Sequence, residues 1–360
     1  MRILITGAAG FICGHLIPEL LTANHEVIGV DDLGRYGATV HPYDTHPRYR
    51  FVHGDVLDTE LMRELAMEVD QIVATAGLVA RSASLHELAY DLLAENERIL
   101  ASTFDAAIDA YLDAHLERII VLSSTMVYES ATMFPTPEGA QRSSPPPMST
   151  YGFQKLASEY FALGAWEQYR LPYTILRPSS PVGIGERHVL SLPGEEGRGK
   201  LATNHVIPDL AIKILSGQDP VHIFGEGNQI RSFIAVQDLV HGIRLAIESP
   251  DAVNTDFNLC RGKGITILGL AERIWRKLRP DDEFHYVSDT PYPYDVLNRV
   301  PDVRKAKAIL GFEATTPLDA MLDEVIAWVR GRDGGWRPDV RDPSLAFGRL
   351  APVRAPRSGG

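Results

Sequence analysis

The sequence predicts an α/β fold built on a doubly wound parallel sheet, and three observations point there. Short β-branched runs alternate with longer helical patterns through the first half of the chain. A glycine-rich turn follows the first of these runs and opens a helix, and two aspartates close the second. The expected strands are residues 2–6, 26–31, 50–53, 71–75 and 118–123, with helices at 11–23, 59–69, 85–115 (in one piece or two) and 151–169. Helix-long crossovers between strands imply parallel pairing with helices on both faces. Residues 172–177, Pro-Tyr-Thr-Ile-Leu-Arg, supply a sixth strand, so residues 1–178 read as a first domain.

After Pro178 the pattern changes. Gly183, Gly185, Gly194, Gly197 and Gly199 punctuate a long connection of the kind that serves as a lid or binding loop. A helix is expected at 207–215, short strands at 221–224 and 230–236, and helices at 267–278 and 318–329. Residues 179–330 read as a smaller, partly interleaved α/β region on the substrate side. Residues 331–360, with four prolines and six arginines against three aspartates, are expected to be an unstructured tail.

Composition narrows the function classes. With 45% apolar and 23% charged residues the chain is globular rather than disordered, collagenous or coiled-coil. Thirty-five basic against 47 acidic residues give a net charge of −12 with no long basic run, so nucleic acid and anionic membrane surfaces are not expected partners. Two cysteines, Cys13 and Cys260, cannot build a disulfide framework or a four-thiolate zinc site. The histidines, His41 and His46 included, lack metal-ligand context, and no metal is expected. The opening apolar stretch is too short for a signal peptide, and no run reaches the roughly 18–20 residues of a membrane helix, so the expected location is the cytoplasm.

The turn Thr6-Gly-Ala-Ala-Gly-Phe-Ile-Cys-Gly14 carries the first chemistry. Its glycines let the backbone turn tightly, and the helix behind it offers free N–H groups and a positive dipole end to a pyrophosphate. Gly7, Gly10, Phe11 and Ile12 are the candidate contacts. An ordinary strand-to-helix turn is the alternative; the acidic pair Asp31 and Asp32, beginning 24 residues after Gly7, favours a dinucleotide. A carboxylate there accepts both ribose hydroxyls and repels a 2′-phosphate, which selects NAD over NADP.

On these residues the chain resembles the extended short-chain dehydrogenase/reductase superfamily, in its nucleotide-sugar epimerase and dehydratase branch, over about residues 1–330. The resemblance implies a Rossmann domain and adds Asp55, Val56, Ala76, Asn96 and Pro178 to the cofactor contacts. That family usually has a third glycine where Cys13 stands. With no activating base beside it in sequence, the thiol reads as structural.

Tyr151-Gly-Phe-Gln-Lys155 sets a phenol and an ammonium one helical turn apart on one face. A nearby ammonium favours phenolate and makes tyrosine a usable general base, whereas the alternative is a solvated helix face. Aligning Val127-Tyr128 with the family's Val-Tyr makes Ser124 the third catalytic residue, and Tyr151 and Lys155 join the cofactor set. Family dehydratases carry an Asp-Glu pair after this serine, decarboxylases a glutamate, and a 3,5-epimerase a cysteine at the Met126 position. Here the pair is Thr125-Met126. Inversion at C4 of a nucleotide-diphosphate sugar, which needs no second acid or base, is therefore the favoured activity. Another outcome of the same keto intermediate and a non-catalytic dinucleotide sensor are the alternatives.

On the substrate side the resemblance implies diphosphate-binding arginines at Arg231 and Arg299, each of which could instead form a surface ion pair. It also implies diphosphate and nucleobase contacts at Asn204, Val206, His222 and Phe224. Ser180 stands where the family often has asparagine, and Glu129 where glycine is usual, which suggests an altered sugar pocket. The resemblance further implies a homodimer through the helices near 85–115 and 151–169.

Overall fold

The computed structural model describes residues 1–78, 89–185, 205–291 and 295–332. Strands β1 (Arg2–Thr6), β2 (Glu26–Asp31), β3 (Tyr49–His53), β4 (Gln71–Ala74), β5 (Arg118–Leu122) and β6 (Tyr173–Pro178) alternate with helices α1 (Phe11–Thr22), α2 (Thr59–Ala66), α3 (Ala89–Asp113) and α4 (Thr150–Tyr169). Then follow β7 (Pro181–Val182), α5 (Val206–Leu215), β8 (Val221–Phe224), β9 (Ile230–Ser232), β10 (Ile234–Ala235), α6 (Val236–Glu248) and β11 (Thr255–Leu259). The last elements are β12 (Gly264–Thr266), α7 (Ile267–Leu278), β13 (Tyr286–Asp289), β14 (Asn298–Arg299), α8 (Arg304–Leu310) and α9 (Leu318–Arg332).

Seven strands form one parallel sheet in the order β3-β2-β1-β4-β5-β6-β11. This is the Rossmann-like doubly wound arrangement the sequence predicts. Its inner strands are covered on both faces, which is why they read as continuous apolar runs. Ile3 and Ile5 of β1 pack with Leu16, Ile17 and Leu20 of α1, while Leu4 meets Met62, Leu65 and Phe104 on the opposite face. Strand order reverses between β1 and β4, and ligands of such sheets bind at the carboxyl ends beside that reversal.

A third core gathers α5, α7, α9 and the small strands around Trp275, Leu210 and Leu322. These elements, with the three-stranded sheet β12-β9-β14 and the pair β13-β8, form the smaller α/β region.

The expected strand 230–236 is corrected. It breaks into β9 and β10, and Val236 starts a helix, α6, that packs into the α1 core. Residues 255–259 then extend the large sheet beside β6. Within the expected 85–115 stretch, helix α3 runs unbroken from Ala89; residues 79–88 lie outside the described part. So do Asn204, most of the glycine-rich connection and residues 333–360 of the expected tail. No helix among the described residues is long and apolar enough to cross a membrane.

Candidate active site

At the end of β1, Gly7 has φ +71°, and a Cβ there would lie 2.9 Å from Ala76 Cα. Glycine thus lets the chain after β4 close onto the turn. Thr6 Oγ1 accepts from the amides of Thr75 and Ala76, both at 3.1 Å, and locks the two segments together. Gly10 caps α1 with no side-chain cap, and no acidic residue stands in the first turn. The amides of Phe11 and Ile12 therefore have no intrahelical acceptor, and the positive end of the dipole is uncompensated.

Across the turn, Asp31 Oδ2 accepts from Ala9 N at 3.0 Å and Oδ1 from Leu33 N at 2.7 Å. Each oxygen keeps a lone pair for a ribose hydroxyl. Burial raises the Asp31 pKa, and the two amides counter it. Asp32 turns into the following loop, accepting from Gly34 N at 2.8 Å. Asp55 accepts from Leu57 N at 2.8 Å, and the buried Val56 receives Ser102 Oγ on its carbonyl at 2.5 Å. Asn96 spends its amide on Leu78, accepting from N at 2.7 Å and donating to O at 2.9 Å, so it holds the loop after β4. Cys13 is buried with Sγ 3.1 Å from Thr75 Oγ1, and burial pushes the thiol up to about 12. Such a thiol is inert packing. An uncapped helix start, a glycine that only a bare Cα fits, and a carboxylate at the tip of β2 together fit an adenine dinucleotide.

Two residues past β5, Ser124 caps the short helical turn 125–128, and its Oγ accepts from Met126 N at 3.2 Å. Tyr151 and Lys155 occupy the first turns of α4, and Lys155 Nζ donates to the Leu122 carbonyl at 3.0 Å. That bond draws the ammonium onto the end of β5, next to Ser124. Glu159 continues the same face of α4 inward, where Arg177 grips it through Nε–Oε1 at 2.7 Å and Nη2–Oε2 at 2.8 Å. Ser149 caps α4 by accepting from Gly152 N at 3.0 Å and hands its own hydroxyl to Glu129 Oε2 at 2.9 Å. Glu129 also accepts from Ser149 N, so this residue fastens the head of the helix that carries Tyr151. The sequence marks Glu129 only as unusual; its partner, 20 positions on, carries no sequence signal.

Arg231 on β9 and Arg299 on β14 are register partners in parallel strands, so both leave one face of the small sheet. Arg231 pairs with Asp295 Oδ1 at 2.5 Å in a largely buried ion pair. Arg299 donates from Nη2 to Ser180 Oγ at 3.0 Å, and its Nη1 abuts Met126 Sδ. The fold thus brings Ser124, Ser180 and Arg299 together at the carboxyl ends of β5 and β6, with Pro178 buried at the tip of the latter. Val206 opens α5. His222 and Phe224 stand apart on β8; His222 Nδ1 meets Asp289 at 2.9 Å, and Phe224 is 39% exposed under the Lys213 ammonium. Gln229 links the two groups by donating to the Phe224 carbonyl at 2.9 Å and to Asp295 at 3.0 Å. Among the described residues no group of three or more potential metal ligands occurs.

Residues 3–260 match the model of the NAD dependent epimerase/dehydratase family. The chain belongs to that family. NAD is accordingly its cofactor. Among curated relatives, the UDP-glucose 4-epimerase of Halalkalibacterium halodurans is 28% identical over 95% of this chain and 99% of its own. The crystal structure of a UDP-glucose 4-epimerase with UDP-glucose from Thermotoga maritima superposes with a TM-score of 0.76 at 26% identity, covering 92% of this chain and 99% of the other. DesIV, a dTDP-glucose 4,6-dehydratase from Streptomyces venezuelae with NAD and TYD bound, gives 0.79 at 26% identity over 94% and 99%. This member of the epimerase/dehydratase family is thus comparably similar to proteins that invert and proteins that dehydrate.

Proposed function

We propose that the protein is an NAD-dependent 4-epimerase of a nucleotide-diphosphate sugar. Modification of a nucleotide sugar is common ground among the relatives, whichever reaction they perform. Inversion is favoured by one observation. The residues after Ser124 are Thr125 and Met126, and the nearby carboxylate, Glu129, is engaged with Ser149 rather than offered as a base. With neither side chain after Ser124 able to serve as a second acid or base, elimination of water from a 4-keto sugar by that route is disfavoured and its reduction back to an alcohol is favoured.

In this reading Tyr151 takes the proton of the C4 hydroxyl, Lys155 favours its phenolate by charge, and Ser124 hydrogen-bonds the reacting oxygen. When bound, NAD supplies the two-electron acceptor and returns the electrons afterwards. Gly7, Gly10, Phe11, Ile12, Asp31, Asp32, Asp55, Val56, Ala76 and Pro178 line its site, with Asn96 holding the loop above. Arg231 and the α5 start at Val206 hold the diphosphate, while His222 and Phe224 face the nucleobase. Tethered there, the sugar can turn its other face to the same Tyr151, which gives the proton back.

The test is to incubate the purified protein with UDP-hexoses and UDP-uronates and follow product mass together with nicotinamide absorbance. Inversion leaves the mass unchanged with no net reduced cofactor. Tyr151→Phe is expected to lower turnover by roughly 10²–10⁴-fold. A product lighter by one water, or stoichiometric cofactor reduction, would replace inversion by dehydration or oxidation.

A further inference from the structure

We propose that Glu129 is a positioning residue for the reaction: its side chain clamps the first turn of α4 to the short turn behind Ser124, and so sets how the Tyr151 phenol meets the Ser124 hydroxyl. This rests on the reading of Ser124, Tyr151 and Lys155 given above and adds the residue that spaces them.

Tyr151 stands where a helix holds itself least. It is the second residue of α4, and the N–H groups of a first turn have no acceptor within the helix, so such ends fray. Lys155 lies one turn further in and has its own anchor, the Leu122 carbonyl at 3.0 Å. The first turn is held from outside instead. Ser149 Oγ accepts from Gly152 N at 3.0 Å and gives its proton to Glu129 Oε2 at 2.9 Å. A serine hydroxyl is otherwise a free rotor; donation to a carboxylate fixes it and leaves a lone pair for the Gly152 amide. The Ser149 amide donates to the same carboxylate oxygen at 3.1 Å. The helix dipole also favours a negative group at this end.

The other end of the clamp is fastened to Ser124. Ser124 and Glu129 cap the two ends of one short helical turn, Thr125–Tyr128. Within it Met126 N donates to Ser124 Oγ at 3.2 Å, Val127 N to the Ser124 carbonyl at 3.2 Å, and Glu129 N to the Met126 carbonyl at 3.1 Å. That carbonyl and Glu129 Oε2 both crowd Gly152: a Cβ there would lie 3.0 Å from the first and 2.8 Å from the second. Ser130 adds a second tie across the same gap, its Oγ donating to the Pro146 carbonyl at 3.2 Å. A bonded route thus joins the two hydroxyls, from Ser124 through its turn to Glu129, from Glu129 to Ser149, and from Ser149 to the residue after Tyr151. Glu129 is the ionised member of that route. Without its carboxylate the Lys155 anchor remains, but the turn that carries Tyr151 is free to shift about its cap. A displacement of about 1 Å between reacting groups costs on the order of a hundredfold in rate.

The experiment measures kcat and KM separately for the NAD-loaded, full-length protein on the UDP-hexose or UDP-uronate that the native chain turns over fastest. Glu129→Ala should lower kcat by on the order of tenfold to a hundredfold with KM and bound cofactor unchanged, since Glu129 acts through the helix and not on the substrate. Glu129→Gln, which keeps an acceptor for Ser149, should recover most of kcat. Ser149→Ala cuts the clamp from the other side and should reproduce the loss, and the double alanine variant should be no slower than the slower single one. Thermal midpoints and cofactor content report folding; a weaker helix start alone would lower the midpoint and leave kcat native below it. If Glu129→Ala does not fold, Glu129→Gln and Ser149→Ala carry the test. Native kcat in a folded Glu129→Ala would overturn the clamp and leave the nucleotide-sugar reading intact. Glu129→Gln as slow as Glu129→Ala, beside a fully active Ser149→Ala, would overturn it by making Glu129 a group that acts on the substrate. A native protein that turns over none of these sugars would remove the parent reading and this inference with it.

Discussion

Gly7 carries the tightest steric demand in the turn proposed to receive the cofactor. It sits at φ +71°, and an added Cβ would be 2.9 Å from Ala76 Cα and 3.0 Å from Ala76 N, both backbone atoms that cannot swing aside. Gly7→Ala therefore combines a left-handed penalty of about 1–2 kcal/mol with displacement of the chain after β4. The expected outcome is a lower thermal midpoint and loss of co-purifying NAD, read by melting and by absorbance of the released nucleotide. A variant that melts and binds like the native chain would show that the loop yields more easily than its packing implies. Gly7 was legible in the sequence because a glycine turn between strand and helix has few structural meanings. Asn96 was legible as a position but not as a role, since its bonds to Leu78 depend on how the β4 loop folds back onto α3. Ser180 shows the same limit. The sequence exposes the departure from asparagine, but only the fold shows a serine held at φ +41° with its hydroxyl under Arg299.

Helix α4 is the element on which the proposed catalysis and the stability of the fold meet. Tyr151, Lys155 and Glu159 follow at steps of four along one face, so the pair proposed for chemistry is continuous with a buried ion network. Arg177, fully buried, holds Glu159 through two bonds and also reaches Asp256 at 2.7 Å and the Tyr128 hydroxyl at 2.9 Å. Ser123, the neighbour of Ser124, donates to the same Glu159 at 2.7 Å. Glu159→Ala takes two charged bonds from the buried Arg177 and leaves Asp256 as its remaining carboxylate, and the expected cost is about 3 kcal/mol, measured by denaturant unfolding. Replacing Glu159 and Arg177 together by apolar residues of similar volume should recover much of that loss, and a single variant as stable as the native chain would mean that the network relaxes around the gap. The same network explains why part of the sheet was hard to read. Strand β11 is Thr-Asp-Phe-Asn-Leu, with Asp256 serving Arg177 and Lys305, and the buried Asn258 serving Tyr128. Its polar residues face the interior, which defeats an apolar-run criterion. Helix α6, in contrast, shows apolar residues at 236, 239, 240, 243, 246 and 247, a helical period that was present in the sequence and masked by the alternating run just before it.

At the scale of the molecule, the outer face of the α3 and α4 pair is proposed as a dimer interface. The two helices pack on each other through Phe104 and Phe161, with ring centroids 5.6 Å apart, and on the solvent side expose Tyr90, Leu112, Phe153 and Tyr160. Phe153 and Tyr160 are seven residues apart on α4, hence on one face, and lie opposite the stripe of Tyr151, Lys155 and Glu159. Gly164, with open space where a Cβ would be, flattens the surface one turn further on. Two helices roughly 30 Å long and each about 10 Å wide present roughly 600 Å² per protomer, close to the lower end of a stable interface. A two-fold axis between them would make the contact self-complementary, a four-helix packing in which each copy covers the aromatics of the other. The chain should therefore elute and scatter light as a dimer. Phe153→Glu with Tyr160→Glu should yield folded monomers, because like charges would face each other across that axis while the inward face stays untouched. Because the same helix presents Tyr151 from its other side, the monomers should also turn over substrate more slowly at unchanged cofactor content. A native chain that scatters as a monomer, or a double variant that stays dimeric, would remove these helices from the interface.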